Sequence, residues 1–379
     1  MAEKSFLSLL RETFSARNLD DWKHAAGQEI DGQDPFKKLA WKNADGLTFL
    51  PYYDHTKIDE THYLKKFQAL PRRSPHAGPG NWINLAHVPV SDALTANQLA
   101  LSHLQHGGDG LLIDLPQHNP VDFDVLLNTI DWPYCTLSFR SASQRSIDQL
   151  QAYIEQKHYP ANTLHGTLFW EDLSALAPVA FTGFENQKNI RCLGVWVSSA
   201  TPVTEIVHAL TQGVALIEHA AQKNDLPGAI VASIAFSLAA ETNLLHTIAK
   251  FKTLRMLWFQ VAQAYGLKDY TPDLLDLHAR ADVYTSPQFG PRENLISGTT
   301  AALAAVLGNC NALTVFSADN SKTSLRIARN VSNILREESH LDKVADPLAG
   351  SFAVDTMVHE LAQEAWRQFQ ISTAKSGIA

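Results

Sequence analysis

From Trp82 onward the sequence repeats one unit: a short, nearly continuous apolar run, then a longer stretch with apolar residues every three or four positions. Eight such runs can be read: WINLAHV, GLLIDL, CTLSFRS, LHGTLFW, CLGVWVSS, AIVASIAFS, LLDLHARADVY and ALTVFS. Runs that are apolar on both faces are what strands need when helices cover one face and a packed interior covers the other. Strand alternating with helix predicts a parallel α/β architecture, and eight repeats predict a (β/α)8 TIM barrel of roughly 250 residues. The alternative is an open doubly wound sheet, for which no phosphate-binding glycine fingerprint speaks.

The chain has 379 residues, so the barrel leaves room for an added segment. Residues 1–80 lack the alternation and are expected to form an N-terminal extension that contacts a partner subunit, with the barrel domain at 81–379. Within the extension, Ala44-Asp45-Gly46 separates two apolar runs in LAWKNADGLTFLPYYD and predicts a turn. The Pro- and Gly-rich QALPRRSPHAGPGNW reads as the linker into the barrel. The first 26 residues form an amphipathic start interrupted by Arg11, Glu12 and Arg17, unlike a signal peptide. No stretch of about 20 apolar residues predicts a membrane span. A formal charge of -8 and the lack of a basic stripe argue against nucleic acid. Three cysteines, Cys135, Cys192 and Cys310, without a CxxC pair, predict reduced buried thiols in a cytoplasmic protein.

Candidate chemistry is sparse. His103 and His106 form an HxxH pair beside Gly107-Gly108, with no third ligand at helical spacing, so helix-end histidines are the simpler reading and no metal site is predicted. In HGGDG, residues 106–110, a strand follows the glycines where a phosphate cradle needs a helix, so it reads as a turn. The helix NLLHTIAKFKTLRMLWFQVAQAYG, ending at Gly266, carries Leu244, Ile248, Phe251, Leu254, Trp258 and Val261 on one face, which reads as packing surface. Glu337 and Glu338 end the helix TSLRIARNVSNILREESHL, where the dipole disfavours carboxylates, so a compensating group such as Arg336, His340 or Lys343 is expected.

The order of motifs at the end of the chain is specific. GTTAALAAVLG (298–308), ARN (328–330), EESHLDKVADPLAGS (337–351) and LAQEAW (361–366) follow one another. This stretch resembles the end of the substrate barrel of the adenosylcobalamin-dependent methylmalonyl-CoA mutases, and weaker likeness runs back to LAWKNADGLTFLPYY. The resemblance implies a TIM barrel through whose centre a CoA ester threads. It also implies a flavodoxin-like cobalamin domain C-terminal to the barrel, expected to be missing here. In its light Glu337, Glu338, Asp346, Pro347 and Gly350 are expected at the barrel mouth. DLHARAD, residues 276–282, looks like the axial-histidine loop of cobalamin domains, but Ala281 stands where that loop has glycine.

Catalytic members of the family carry a Tyr-His pair where this chain has Trp196, Val197, Ser198 and Ser199. Leu85 and His87 stand in place of an arginine and a substrate-pressing tyrosine, and Phe289 and Ser297 in place of a glutamine and an arginine. The expected acid, substrate clamp and adenosyl contact are thus replaced, with no catalytic residue predicted in this chain. This pattern is similar to the non-catalytic small subunit of the heterodimeric mutases. It implies a heterodimer with a catalytic large subunit, adenosylcobalamin bound by that partner, and (R)-methylmalonyl-CoA to succinyl-CoA as the reaction of the complex. Trp196 and Phe289 are then expected to fill the space of a pantetheine chain, and an isolated copy could self-associate. Two other readings stay open: a catalytic barrel of the split isobutyryl-CoA type that borrows cobalamin from a separate protein, and a CoA-ester-binding module without chemistry.

Overall fold

A computed structural model describes residues 17–68, 78–116, 119–141, 144–170, 184, 186–221, 227–282, 291–317, 319 and 321–376. Among the described residues of the extension, helix α1 (Leu19–Glu29) comes first, and its Asn18 side chain accepts from the Asp20 and Asp21 amides while Asp21 answers the Asn18 amide. This reciprocal box satisfies donors that a helix start otherwise leaves bare. Strands β1 (Trp41–Lys42) and β2 (Thr48–Phe49) then pair antiparallel around Gly46 at φ +82°, as the Asp-Gly turn predicts.

Eight strands close the barrel: β3 (Ile83–Pro89), β4 (Gly110–Asp114), β5 (Thr136–Ser141), β6 (Gly166–Trp170), β7 (Ile190–Trp196), β8 (Ile234–Ala240), β9 (Asp276–Ala281) and β10 (Ala312–Val315). Neighbours in sequence are neighbours in the sheet, all parallel, and β10 pairs with β3 to complete the circle. Each of the eight apolar runs contains one strand. One run is misread in part: residues 229–233 of AIVASIAFS belong to a helix, Pro227–Ser233, and the strand starts at Ile234. Proline at the first helical position, where no amide partner is needed, starts that helix despite its β-branched residues.

Period two divides the strands' side chains. On β9, Leu277, Ala279 and Ala281 are fully buried and join the main core, while Asp276 and His278 line the lumen. The outer layer includes α2 (Ala93–Gln105), α3 (Gln144–Lys157), α4 (Pro202–Ala221), α5 (Pro227–Ser233), α6 (Leu244–Ala264), α7 (Pro291–Leu307), α8 (Lys322–Asn333) and α9 (Phe352–Ser376). Helix α6 is buried nearly all round because α4, α7 and α9 pack on it. Its Arg255 donates to the carbonyls of Pro272, Leu275 and Asn309 and to the Asn311 side chain, tying together the starts of β9 and β10. Trp41 and Phe49 of the hairpin lie on the ring of His246 in α6. Asp45 accepts from the Val203 amide at the start of α4, which fixes the extension to the barrel's outer layer.

The three thiols are free, and burial pushes those of Cys135 and Cys192 up to about 12. No helix among the described residues is long and apolar enough to cross a membrane.

Candidate functional site

The lumen brings together polar side chains from several strands. It has three levels along the axis. At the N-terminal ends of the strands lies a cavity of about 250 Å3, lined by Thr136, Ser138, Thr167, Arg191 and Asp276 among others. Its inner end meets a layer of Leu85, Leu112 and Phe169, all at most 2% exposed, with Trp196 packed against them. His278 belongs to this layer, its ring 5.1 Å from that of Phe169 and 6.1 Å from that of Trp196.

Toward the C-terminal ends of the strands, Trp196 has the guanidinium of Arg280 4.3 Å and that of Arg140 4.8 Å from its ring centre. Arg140 also reaches Asp114 at 3.2 Å, and Asp114 takes a 2.8 Å hydrogen bond with His87 Nε2. The His87 ring in turn packs on Phe316, 4.5 Å between centres. Arg280 donates to the carbonyls of Ser237 and Val197 and to the Ser237 hydroxyl. Cationic faces on an indole and a carboxylate between His87 and Arg140 make this level a plug of paired charges and rings, with Asp114 Oδ1 left without a hydrogen-bond partner among the described residues.

His278 is held in one protonation state. The Ser237 hydroxyl accepts from Arg280 and shares a 2.8 Å hydrogen bond with His278 Nδ1. Nε2 shares a 2.9 Å hydrogen bond with Thr314 Oγ1, so a neutral ring donates through one nitrogen and accepts through the other. Burial, reinforced by nearby Arg280, pushes this imidazole down to about 3. A neutral ring with both nitrogens engaged is neither an acid for a thioester carbonyl nor a free metal ligand.

Beside the C-terminal end of β8, Lys250 is fully buried with Nζ 2.5 Å from Glu205 and 2.8 Å from Glu241. Burial alone would depress this ammonium, but Glu205 and then Glu241 outweigh it and hold it above the usual range. Glu205 also accepts from the Ala239 amide, so the cluster joins α4, α6 and β8.

Of the residues singled out in the sequence, Leu85, His87 and Trp196 meet in the lumen. Val197 is buried and only its carbonyl takes part, whereas Ser198 and Ser199 are exposed beyond β7, with Ser199 bonded to Thr204. Ser297 lies on outer helix α7, and Phe289 falls outside the described residues. His103 and His106 do not share a site: His103 is buried beside Arg329, and His106 bonds the Ser102 carbonyl. Glu337, Glu338, Asp346, Pro347 and Gly350, expected at the barrel mouth, lie around the end of helix α8 and the turn that follows it. Helix α8 runs back antiparallel to the strands, so its terminal turn, Ile334–Glu338, reaches their N-terminal end. There Arg336 bonds Asp109 at 2.6 Å, just before β4, and Glu337 at 3.0 Å, supplying the compensation expected for the acidic helix end. Asp346 pairs with Lys252 of α6 on the outer wall, and Pro347 and Gly350, the latter at φ +78°, complete the turn that leads into α9. The arginines, Ser237 and His278 were not legible as a cluster, because residues 140, 237, 278 and 280 are brought together only by closure of the barrel.

The family model for methylmalonyl-CoA mutase matches residues 141–379. The chain belongs to the methylmalonyl-CoA mutase family. Among curated relatives of this mutase family, the methylmalonyl-CoA mutase small subunit of Porphyromonas gingivalis is 28% identical over 88% of this chain and 59% of its own length. The small subunit of Streptomyces virginiae is 26% identical over 93% of this chain and 63% of its own. The methylmalonyl-CoA mutase of Rhizobium meliloti is 29% identical over 96% and 59% respectively. The chain thus spans about three fifths of the length of these mutase relatives. Adenosylcobalamin, the family's cofactor, finds no fitting axial ligand in DLHARAD: His278 is inside the barrel wall's hydrogen-bond network, 3% exposed.

Proposed function

We propose that this chain is a small-subunit-type mutase barrel: it does not turn over substrate, and it supports a catalytic large subunit that carries adenosylcobalamin. The reaction of the complex is then the interconversion of (R)-methylmalonyl-CoA and succinyl-CoA. In this reading residues 1–80 serve subunit contact and residues 81–379 form the barrel. The observation that carries the proposal is the filled lumen. Leu85, Leu112 and Phe169 occupy the axis where a CoA ester would have to thread, and Trp196 between two arginines backs them. Sequence identity does not separate the small-subunit reading from a catalytic one, since the Rhizobium mutase is as similar as the small subunits are. What favours the non-catalytic reading is this layer of side chains, which crosses the axis that a pantetheine chain would need.

Isothermal titration of the chain with methylmalonyl-CoA, and separately with adenosylcobalamin, tests this. The expected result is no saturable heat with either at tens of micromolar protein. Saturable binding of the ester would return the chain to the catalytic or CoA-binding readings.

A further inference from the structure

The lumen that is shut to a threading ester is still open at one end. The cavity at the N-terminal ends of the strands stops at Leu85, Phe169 and His278, so it is a blind pocket rather than part of a tunnel. Its size of about 250 Å3 holds about eight waters at ~30 Å3 each. It is smaller than the ~300–1,000 Å3 pockets that take drug-sized ligands.

The lining is built for hydrogen bonding without net charge. Arg191 Nε donates to Asp276 Oδ2 at 2.7 Å, so the two charges on the wall neutralise one another. The second Asp276 oxygen has no hydrogen-bond partner among the described residues, nor do the Thr136 and Thr167 hydroxyls. Ser138 Oγ accepts from the Thr167 amide and keeps its proton to donate. These groups both give and take hydrogen bonds and surround an apolar floor of Leu85 and the Phe169 ring. An anion would meet the Asp276 carboxylate, and a cation the Arg191 guanidinium. A hydroxylated molecule can meet all of them, with its C–H face on the floor. The geometry points to a site for a compact neutral polyol, entered from the N-terminal end of the barrel and separate from the Trp196 plug.

The test is isothermal titration of the full chain with xylitol. Beside the wild type it uses a Thr136→Val/Thr167→Val variant that removes two hydroxyls and keeps their shape, and an Ala312→Leu variant that fills the pocket from β10. The expected result is saturable binding to the wild type, at least tenfold weaker in each folded variant and no tighter for xylitol 5-phosphate. No saturable binding to the wild type overturns the proposal, as does equal binding to the variants. Binding of pantetheine but not xylitol overturns the polyol assignment.

Discussion

A histidine in the middle of a barrel is compatible with folding only while it is neutral. His278 satisfies that condition through Ser237 and Thr314, and burial holds it at about 3, far below the ordinary imidazole. His103, buried first of all and then repelled by Arg329, is held at about 4. Because both folded values are depressed, the unfolded chain binds more protons than the folded one between about pH 6.5 and those values. Stability is therefore full above the unfolded value and falls as pH drops through that window. Thermal melts between pH 7 and 4 should show a steep loss of melting temperature. His278→Gln should flatten the slope by removing the larger of the two depressions. An unchanged slope in that variant would mean that the Ser237–His278–Thr314 chain does not exist as described. The same residue shows the limit of reading sequence alone. DLHARAD looks like a cofactor loop by letter order, and its Ala281 already argued otherwise, but only strand register turns His278 into the lumen.

Elements of this fold were legible where one physical rule decided them. The eight strands stand out because a strand covered on both faces must be apolar throughout, and each of the eight runs holds one. The extension's hairpin was legible from its Asp-Gly turn. Helix Pro227–Ser233 was not, because its Ile and Val favour a strand, while its N-terminal proline and packing against α4 and β7 favour the helix. Motif order put the end of α8 at the barrel mouth without saying which end, since it carries no record of which way a helix runs relative to the sheet, and Arg336 there pairs with Asp109 just before β4. Packing of α4 gives a prediction at this level. Gly213 lies mid-helix with no positive φ to explain it, and a Cβ there would come within 2.5 Å of the Trp258 ring of α6. Gly213→Ala should destabilise the fold by ~1–3 kcal/mol through overpacking, although alanine is the better helix former. Denaturant unfolding measures this, and a neutral or stabilising effect would show that α4 and α6 are farther apart than described.

At the scale of the whole molecule the barrel is closed in two senses, by its eighth strand pair and by the side chains on its axis. Leu85 and Trp196, which the sequence resemblance singled out, both lie in that axial packing, together with Leu112 and Phe169. On the proposed reading such a barrel contributes surface rather than chemistry, and its function depends on what it binds. The most direct measurement is affinity capture of the native chain from its own cells, with mass spectrometry of the stoichiometric partner. The account predicts a longer mutase chain, carrying an axial-histidine cobalamin domain, in equal amount. A short cobalamin-binding protein as the only partner would contradict it and make this barrel the catalytic chain.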